Sequence, residues 1–345
     1  MEILESLTYI EAIVLFVLSA IVIAIGGTLL SREADRLADL SGLGEALVGA
    51  IFLGAVTSLS GLATSFTAAL EGHPHLSVSN AIGGIAAQTV FLALADITYP
   101  KANLEHAAPS LSNIMQAVLL MFMLAFMLGI SQTPEFDIMG VHPASILIVI
   151  VYLAVQRMIS RSEQQPMWLA VKTKETLRDI PEEENLYQHR MSAVLIRFIL
   201  LGVLIAVAGY TVGRTGIVIA VESGISESIV GAIFTAVASS LPELIVSIAA
   251  VRQGALTLAV SNVLGGNSFD ILFVAFSDFA YEEGSILHTF EKGQTFIISL
   301  TLMLTAILTL GLLDRQKKGF AGIGWESLAV LLLFAGGYTS LFFIG

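Results

Sequence analysis

Long apolar runs separated by short polar stretches dominate this chain. A spanning helix needs about 20 mostly apolar residues. Ten segments satisfy this, at approximately 9–31, 46–70, 76–96, 111–131, 138–157, 192–213, 226–252, 256–278, 294–313 and 322–344. Six of them are plain Leu/Ile/Val/Phe/Ala helices suited to a bundle wall. The second, third, seventh and eighth are rich in Gly, Ser, Thr and Asn. The first run begins near Tyr9 behind Glu2 and Glu5, without a basic leader, and is too long for a signal peptide, so a retained helix is expected. The pattern predicts an all-α polytopic membrane protein.

The longest polar interruption, 158–191, splits the ten segments five and five. The expected organisation is a first five-helix repeat over 1–157, a loop over 158–191 and a second five-helix repeat over 192–345. Positive residues favour the cytoplasmic side, and this loop carries Arg161, Lys172, Lys174, Arg178 and Arg190. With the loop inside, Arg32, Arg36, Lys101, Arg157, Arg252, Arg315, Lys317 and Lys318 are inside too. Only Arg214 and Lys292 are outside, and Arg197 lies within the sixth span, from where it snorkels to the inner interface. That distribution predicts both termini outside the plasma (inner) membrane. An odd number of helices per half turns the two halves upside down relative to each other.

A repeat supports the division. Adding 182 to each position from Ser58 to Asp96 gives its counterpart without a gap: Ser58 with Ser240, Ser65 with Ser247, Asn80 with Asn262, Gly83-Gly84 with Gly265-Gly266, Phe91 with Phe273 and Asp96 with Asp278. Chance similarity of apolar helices matches Leu and Val, but not Asn, paired Gly and Asp in one register. The motifs occupy 54–96 and 236–278, each a helix pair joined by a short turn at Glu71–His75 or Gln253–Thr257. Inverted repeats with interrupted helices are a transporter architecture whose substrate sits at the midplane. The expected fold is therefore ten transmembrane helices as two inverted five-helix repeats.

Ser239-Ser240-Leu241-Pro242-Glu243 and Ser261-Asn262-Val263-Leu264-Gly265-Gly266-Asn267-Ser268-Phe269-Asp270 put hydroxyls, amides and carboxylates inside two apolar spans. Pro242 lacks an N–H and frees a carbonyl one turn earlier. Gly265-Gly266, Gly83-Gly84 and Ser60-Gly61 are expected to loosen their helices, or else to allow close packing. Freed carbonyls and hydroxyls are hard oxygen ligands, suited to Na⁺ and Ca²⁺. An intramembrane carboxylate is expensive unless paired or protonated, so Glu243 is the foremost functional candidate.

These residues resemble the sodium/calcium exchanger family, whose repeats read roughly Gly/Ala-Thr-Ser-Leu-Pro-Glu followed by Gly-Asn-x-x-Gly-Ser-Asn. The resemblance spans the five-plus-five layout and is specific over the two motifs. It implies that Glu243 is the central carboxylate and that Asn267 is an amide ligand or orients its helix. It also implies Ser239, Ser240 and Ser268 as oxygen donors, with Asn262 in the same motif. In the first repeat Thr57, Ser58 and Asn80 survive, but the family Pro-Glu is Ser60-Gly61 and Ser-Asn is Gly84-Ile85. The glutamate opposite Glu243 is thus replaced by Gly61. One carboxylate suits a monovalent ion or a proton better than Ca²⁺, unless Asp270, whose counterpart is Gln88, faces the site.

The rest of the composition narrows the field. Hydrophobic residues make up 56% and charged residues 13%, with a mean hydropathy of +0.86, as for a helical membrane protein. Cysteine is absent, which excludes thiolate metal sites and cysteine nucleophiles. A net charge of −12 argues against nucleic acid as a partner. The partners are inorganic cations and the bilayer, with no cofactor beyond the transported Na⁺, Ca²⁺ or H⁺. No filter-like sequence suggests a channel, and neither HExxH nor GxGD suggests a membrane protease. A transport-degenerate sensor or scaffold is the alternative raised by the altered first repeat. Gly72-His73-Pro74-His75 reads as a surface turn, and Asp96 and Asp278 as interfacial anchors at helix ends.

Overall fold

The computed structural model describes residues 7–41, 57–99, 101–171, 173, 174, 176, 191–319 and 323–344. Residues 172, 175 and 177–190 of the expected loop, and residues 46–56 of the second expected span, lie outside the described residues; residues 158–164 of that loop are helical, continuing the fifth span. The helices are α1 (Tyr9–Ser41), α2 (Leu59–Leu70), α3 (Pro74–Ile97), the short α4 (Leu104–Ala107), α5 (Leu111–Ile130), α6 (Pro143–Gln164) and α7 (Met191–Ser223). The second half continues with α8 (Glu227–Ser239) and α9 (Leu241–Gln253), then α10 (Leu256–Asp270), α11 (Leu272–Ala280), α12 (Lys292–Asp314) and α13 (Trp325–Leu341). Among the described residues there is no strand, only one isolated bridge between Ile138 and Val141.

Seven of the spans are long and apolar enough to cross a membrane. An eighth is the bent pair α8–α9, and α2 and α13 are shorter apolar helices. All ten expected segments therefore contain a helix, although the described parts of α2 and α13 are short for a full crossing.

Hydrophobic pattern decides which helices lie inside. The plain helices α1 and α7 pack side by side at the periphery and expose apolar side chains such as Ile10, Leu18, Ile196 and Leu200. In the most apolar 18-residue stretch of the polar helix α3, 94% of the residues are buried, and in that of α10–α11, 83%. Polar groups in a bilayer must find partners inside the protein, so the Ser/Asn/Gln-bearing helices form the centre. Close approach needs small residues there. A Cβ on Gly83 would lie 2.6 Å from the Ala232 backbone, and one on Gly209 would lie 2.5 Å from the Ser60 carbonyl.

The glycine pairs do not loosen their helices. α3 runs unbroken through Gly83-Gly84, α2 through Ser60-Gly61, and α10 through Gly265-Gly266. The interruption in the eighth span falls instead at Ile271, just after Asp270. The seventh span does break as Pro242 demands. It contains a wide π-helical turn at Val230–Thr235 and bends 46° at Ser240, with Pro242 in the first turn of α9.

The repeat is visible in matching hydrogen bonds. Asn80 Nδ2 donates to Ser65 Oγ at 2.8 Å, and its counterpart Asn262 Nδ2 donates to Ser247 Oγ at 3.4 Å. Asp96 accepts from Leu104 N and Gly324 N; Asp278 accepts from Ile286 N and His142 N, each partner shifted by 182. Asp96 and Asp278 are thus buried caps for the connectors and not interfacial anchors.

They lie at opposite ends of the bundle. The Asp278 end also carries the 71–75 turn, where Glu71 pairs with Arg214 and His73 Nδ1 sits 2.6 Å from Glu227 Oε1. That hydrogen bond, outweighing the effect of burial, holds the His73 imidazole above its usual pKa. Arg315 of the Asp96 end donates to the Val171 carbonyl. Arg197 is largely exposed, 4.0 Å from Glu33. Since α3 ends where Asp96 lies and α11 ends where Asp278 lies, the two repeats run in opposite directions.

Cysteines introduced at the exposed positions Gln165 and Glu283 of this cysteine-free chain should react with an impermeant maleimide from opposite faces of the membrane. Labelling of both from one face would contradict the inverted arrangement.

Candidate ion-binding site

The two repeats meet where α2, α3, α8–α9 and α10 cross. Ser60 Oγ donates to the Ser239 carbonyl at 2.8 Å, which ties α2 to the bend of the seventh span. Thr235 Oγ1, in the π-helical turn, donates to Asn80 Oδ1 at 2.7 Å, and Asn80 Nδ2 reaches the Gly61 carbonyl at 3.2 Å. Asn80 is therefore held on both sides, and it fixes α2, α3 and α8 together.

These contacts frame a small cavity, with room for about one water-sized ion, lined by Ser58, Gly61, Asn80, Ala81, Gly84, Gln88, Ser239, Ser240, Glu243, Asp270 and Phe273. The bend at Ser240 starts a new helix. This puts Glu243 in the first turn of α9, near an N-terminus whose dipole favours negative charge. Ser58 Oγ lies 3.5 Å from Glu243 Oε1, and the Thr57 hydroxyl also reaches this carboxyl. Asp270 sits at the last residue of α10, and Gln88 Nε2 donates to its Oδ2 at 2.6 Å. The same amide is 3.5 Å from Ser240 Oγ.

Three oxygens on the cavity residues are buried with no hydrogen-bond partner: Glu243 Oε2, Asp270 Oδ1 and Gln88 Oε1. A buried polar atom without a partner costs free energy, and a buried ionised carboxylate costs far more. Such a set lowers its cost by taking up a cation or a proton.

Of the ten residues singled out from sequence, Glu243, Asp270, Ser239, Ser240, Ser58 and Asn80 line the cavity, and Thr57 touches it through Glu243. Three others point elsewhere. Asn267 Nδ2 donates to Thr89 Oγ1 at 3.1 Å, so Asn267 braces α10 against α3. Ser268 Oγ donates to Gln116 Oε1 at 2.6 Å and to the Gly265 carbonyl. Asn262 pairs with Ser247. The amides Gln88, Gln116 and Gln156 carry more of the polar network than the motifs alone suggest. Gln116 and Gln156 exchange reciprocal bonds at 2.8 and 2.9 Å. Both are polar residues in otherwise apolar spans, and that isolation was the available signal.

Gly61 and Glu243 line the same cavity. Gly61 leaves no free room for a side chain, because a Cβ there would lie 2.9 Å from the Phe273 ring. The second carboxylate comes instead from Asp270 of the same repeat.

This is the layout of a membrane cation exchanger. The family pattern for sodium/calcium exchanger protein matches residues 11–161 and 193–343, one stretch in each half. The chain belongs to that family. An uncharacterized membrane protein of Methanocaldococcus jannaschii is 28% identical over 74% of this chain and 77% of its own length. The inner membrane protein YrbG of Escherichia coli is 25% identical over 74% of this chain and 78% of its own. The sodium/calcium exchanger MaX1 of Methanosarcina acetivorans is 29% identical over 35% of this chain and 33% of its own. Among solved structures, the sodium-calcium exchanger NCX_Mj superimposes with a TM-score of 0.63, covering 97% of this chain and 100% of that one at 19% identity, a likeness of fold.

The crossing of α3 over α8 generates a stability prediction. Gly83→Ala forces a methyl group onto the Ala232 backbone, which has no side-chain freedom to give way. The expected cost is about 1–3 kcal/mol, read as a lower thermal midpoint in detergent. Gly129→Ala, with nothing within 4 Å, should leave the midpoint unchanged or raise it.

Proposed function

We propose that this protein is a secondary cation antiporter that works by alternating access, moving Na⁺ or H⁺ against Ca²⁺ or another cation. The observation that carries this reading is the pairing of Glu243 with Asp270 in one buried cavity, each with an unpartnered oxygen. Two ionised carboxylates in a dry site require about two positive charges. One Ca²⁺ supplies them, and so do two monovalent ions or protons. Because either set neutralises the same pair, the two occupancies exclude each other, which is the physical basis of exchange.

Glu243, Asp270, Ser58, Ser239, Ser240 and Gln88 are the proposed oxygen ligands. Carboxylate, amide and hydroxyl oxygens in this number match the hard-ligand preference of Ca²⁺ and Na⁺. Thr57 orients Glu243, and Asn80 holds the crossing around which the repeats rock. Asn267, Ser268 and Asn262 act by bracing α10. We assign 1–157 and 192–345 to the two moving halves, with the 158–191 loop between them cytoplasmic and both termini outside. The opposed directions of α3 and α11 support alternating access, because an inverted pair presents equivalent pathways to the two faces.

Counter-ion-resolved flux in proteoliposomes tests the proposal, with Na⁺, K⁺, H⁺, Ca²⁺ and Mg²⁺ each supplied on the trans side. Strictly trans-ion-dependent Ca²⁺ flux is expected. Flux without a counter-ion would indicate a channel, and no flux under any gradient would indicate a sensor or scaffold. Glu243→Gln should abolish exchange while the protein stays monodisperse. Asp270→Asn keeps an amide where Gln88 can pair, and should lower Ca²⁺ affinity relative to Na⁺ by at least about tenfold, equivalent to roughly 1.4 kcal/mol. Unchanged Ca²⁺ selectivity in Asp270→Asn would remove Asp270 from the divalent site.

A further inference from the structure

A second group of carboxylates lies away from the cavity, at the end of the bundle that carries Arg315 and Val171. Asp96 closes α3, Glu105 lies in α4, and Glu326 is in the first turn of α13. One oxygen from each lies within 4.8 Å of the others, and all three residues are buried. From Gln88 to Asp96 there are eight residues of α3, about 12 Å of helix, so this cluster is separate from the Glu243–Asp270 cavity.

The internal repeat shows that the fold does not need Glu105 and Glu326. At the other end of the bundle, Asp278 accepts from Ile286 N and His142 N, the counterparts of Leu104 N and Gly324 N. The connector cap is therefore the same at both ends. Yet the positions equivalent to Glu105 and Glu326 are Leu287 and Ala144, which pack as ordinary buried apolar residues. Two glutamates have been added to a cap that is built without them elsewhere in the same chain.

Their oxygens are not absorbed by the structure. The Glu105 and Glu326 carboxyls lie against each other, and beyond that contact none of their oxygens has a hydrogen-bond partner, although Glu105 is fully buried and Glu326 is 1% exposed. The buried Asn103 Oδ1 on the same connector is also unpartnered. Burial, reinforced by the like charges of Asp96 and Glu326, pushes the Glu105 carboxyl well above the usual carboxylate range.

We infer that Asp96, Glu105 and Glu326 form a second, divalent-cation site that clamps the α3–α4 connector to the start of α13. The ligand set favours Ca²⁺ over Mg²⁺. Ca²⁺ takes about six to eight oxygen ligands in flexible geometry, whereas Mg²⁺ demands a near-ideal octahedron and keeps several of its waters. Three buried protein carboxylates with oxygens within 4.8 Å of one another suit the more adaptable ion. The site joins segments of both halves, α3–α4 from the first and α13 from the second, so its occupancy couples a cation at this end to the relative position of the two repeats.

Terbium, a luminescent stand-in for Ca²⁺, provides the test. Trp325 directly precedes Glu326 and can sensitise an ion bound there. The whole protein in detergent, carrying Glu243→Gln to weaken the central cavity, should show saturable Trp-sensitised Tb³⁺ emission that Ca²⁺ competes away at lower concentration than Mg²⁺. Glu105→Gln with Glu326→Gln should weaken binding at least tenfold. Trp325→Phe should remove the emission while Mn²⁺ binding followed by electron paramagnetic resonance persists. Glu105→Leu and Glu326→Ala, which copy Leu287 and Ala144, provide a second pair of variants that the fold already accommodates, and they too should lose the site. Absence of saturable emission, or emission that survives in both variant pairs, would overturn the inference.

Discussion

Two carboxylates held out of water constrain everything around them. Glu243 and Asp270 lie in one cavity between helices that are otherwise apolar, each with an oxygen that no protein donor reaches. Bare charge in such a place is unaffordable, so the surrounding helices must present compensating groups and leave space for a cation. The bend at Ser240 starts α9 beneath Glu243, and Gln88 reaches across from α3 to hold Asp270. Small residues let the helices approach closely around this point. Plain apolar helices such as α1 and α7 then need only cover the outside.

The repeats are alike in scaffold and unlike in charge. Matching bonds, Asn80 to Ser65 and Asn262 to Ser247, hold the same helix pair in both halves. The acidic groups have moved. In the centre both carboxylates belong to the second repeat, while the first contributes amides, hydroxyls and Gly61. At the bundle ends the asymmetry is reversed in kind, with Glu105 and Glu326 standing where the opposite end has Leu287 and Ala144. A duplicated scaffold has thus been charged differently at each of its equivalent places, and those differences are where chemistry is to be sought.

Much of this was legible in the chain. The ten apolar segments all contain helices, because span length and hydropathy are local properties. The 182-residue register foretold the matching bonds, and Pro242 foretold the break in the seventh span. Tertiary packing decided the rest. Gly83-Gly84 and Gly265-Gly266 suggested either loosened helices or close packing; the helices run on through both pairs, and at Gly83 a neighbouring backbone occupies the place of the side chain. Asn267 and Ser268 carry the motif but turn towards Thr89 and Gln116, and periodicity contains no information about a partner about 150 or more residues away. Gln88 was visible only as the counterpart of Asp270, and the repeat now makes them bonded neighbours.

The charge pair makes the most direct demand on experiment. Anomalous diffraction from crystals soaked in Sr²⁺, a heavy substitute for Ca²⁺, locates a divalent ion without reference to transport assays. The account predicts a peak in the central cavity within ligand distance of both Glu243 and Asp270, lost in crystals of Asp270→Asn under the same soak. A cavity that stays empty of Sr²⁺ while the protein supports Ca²⁺ flux, or a peak bound by Glu243 alone and unchanged in Asp270→Asn, would contradict it.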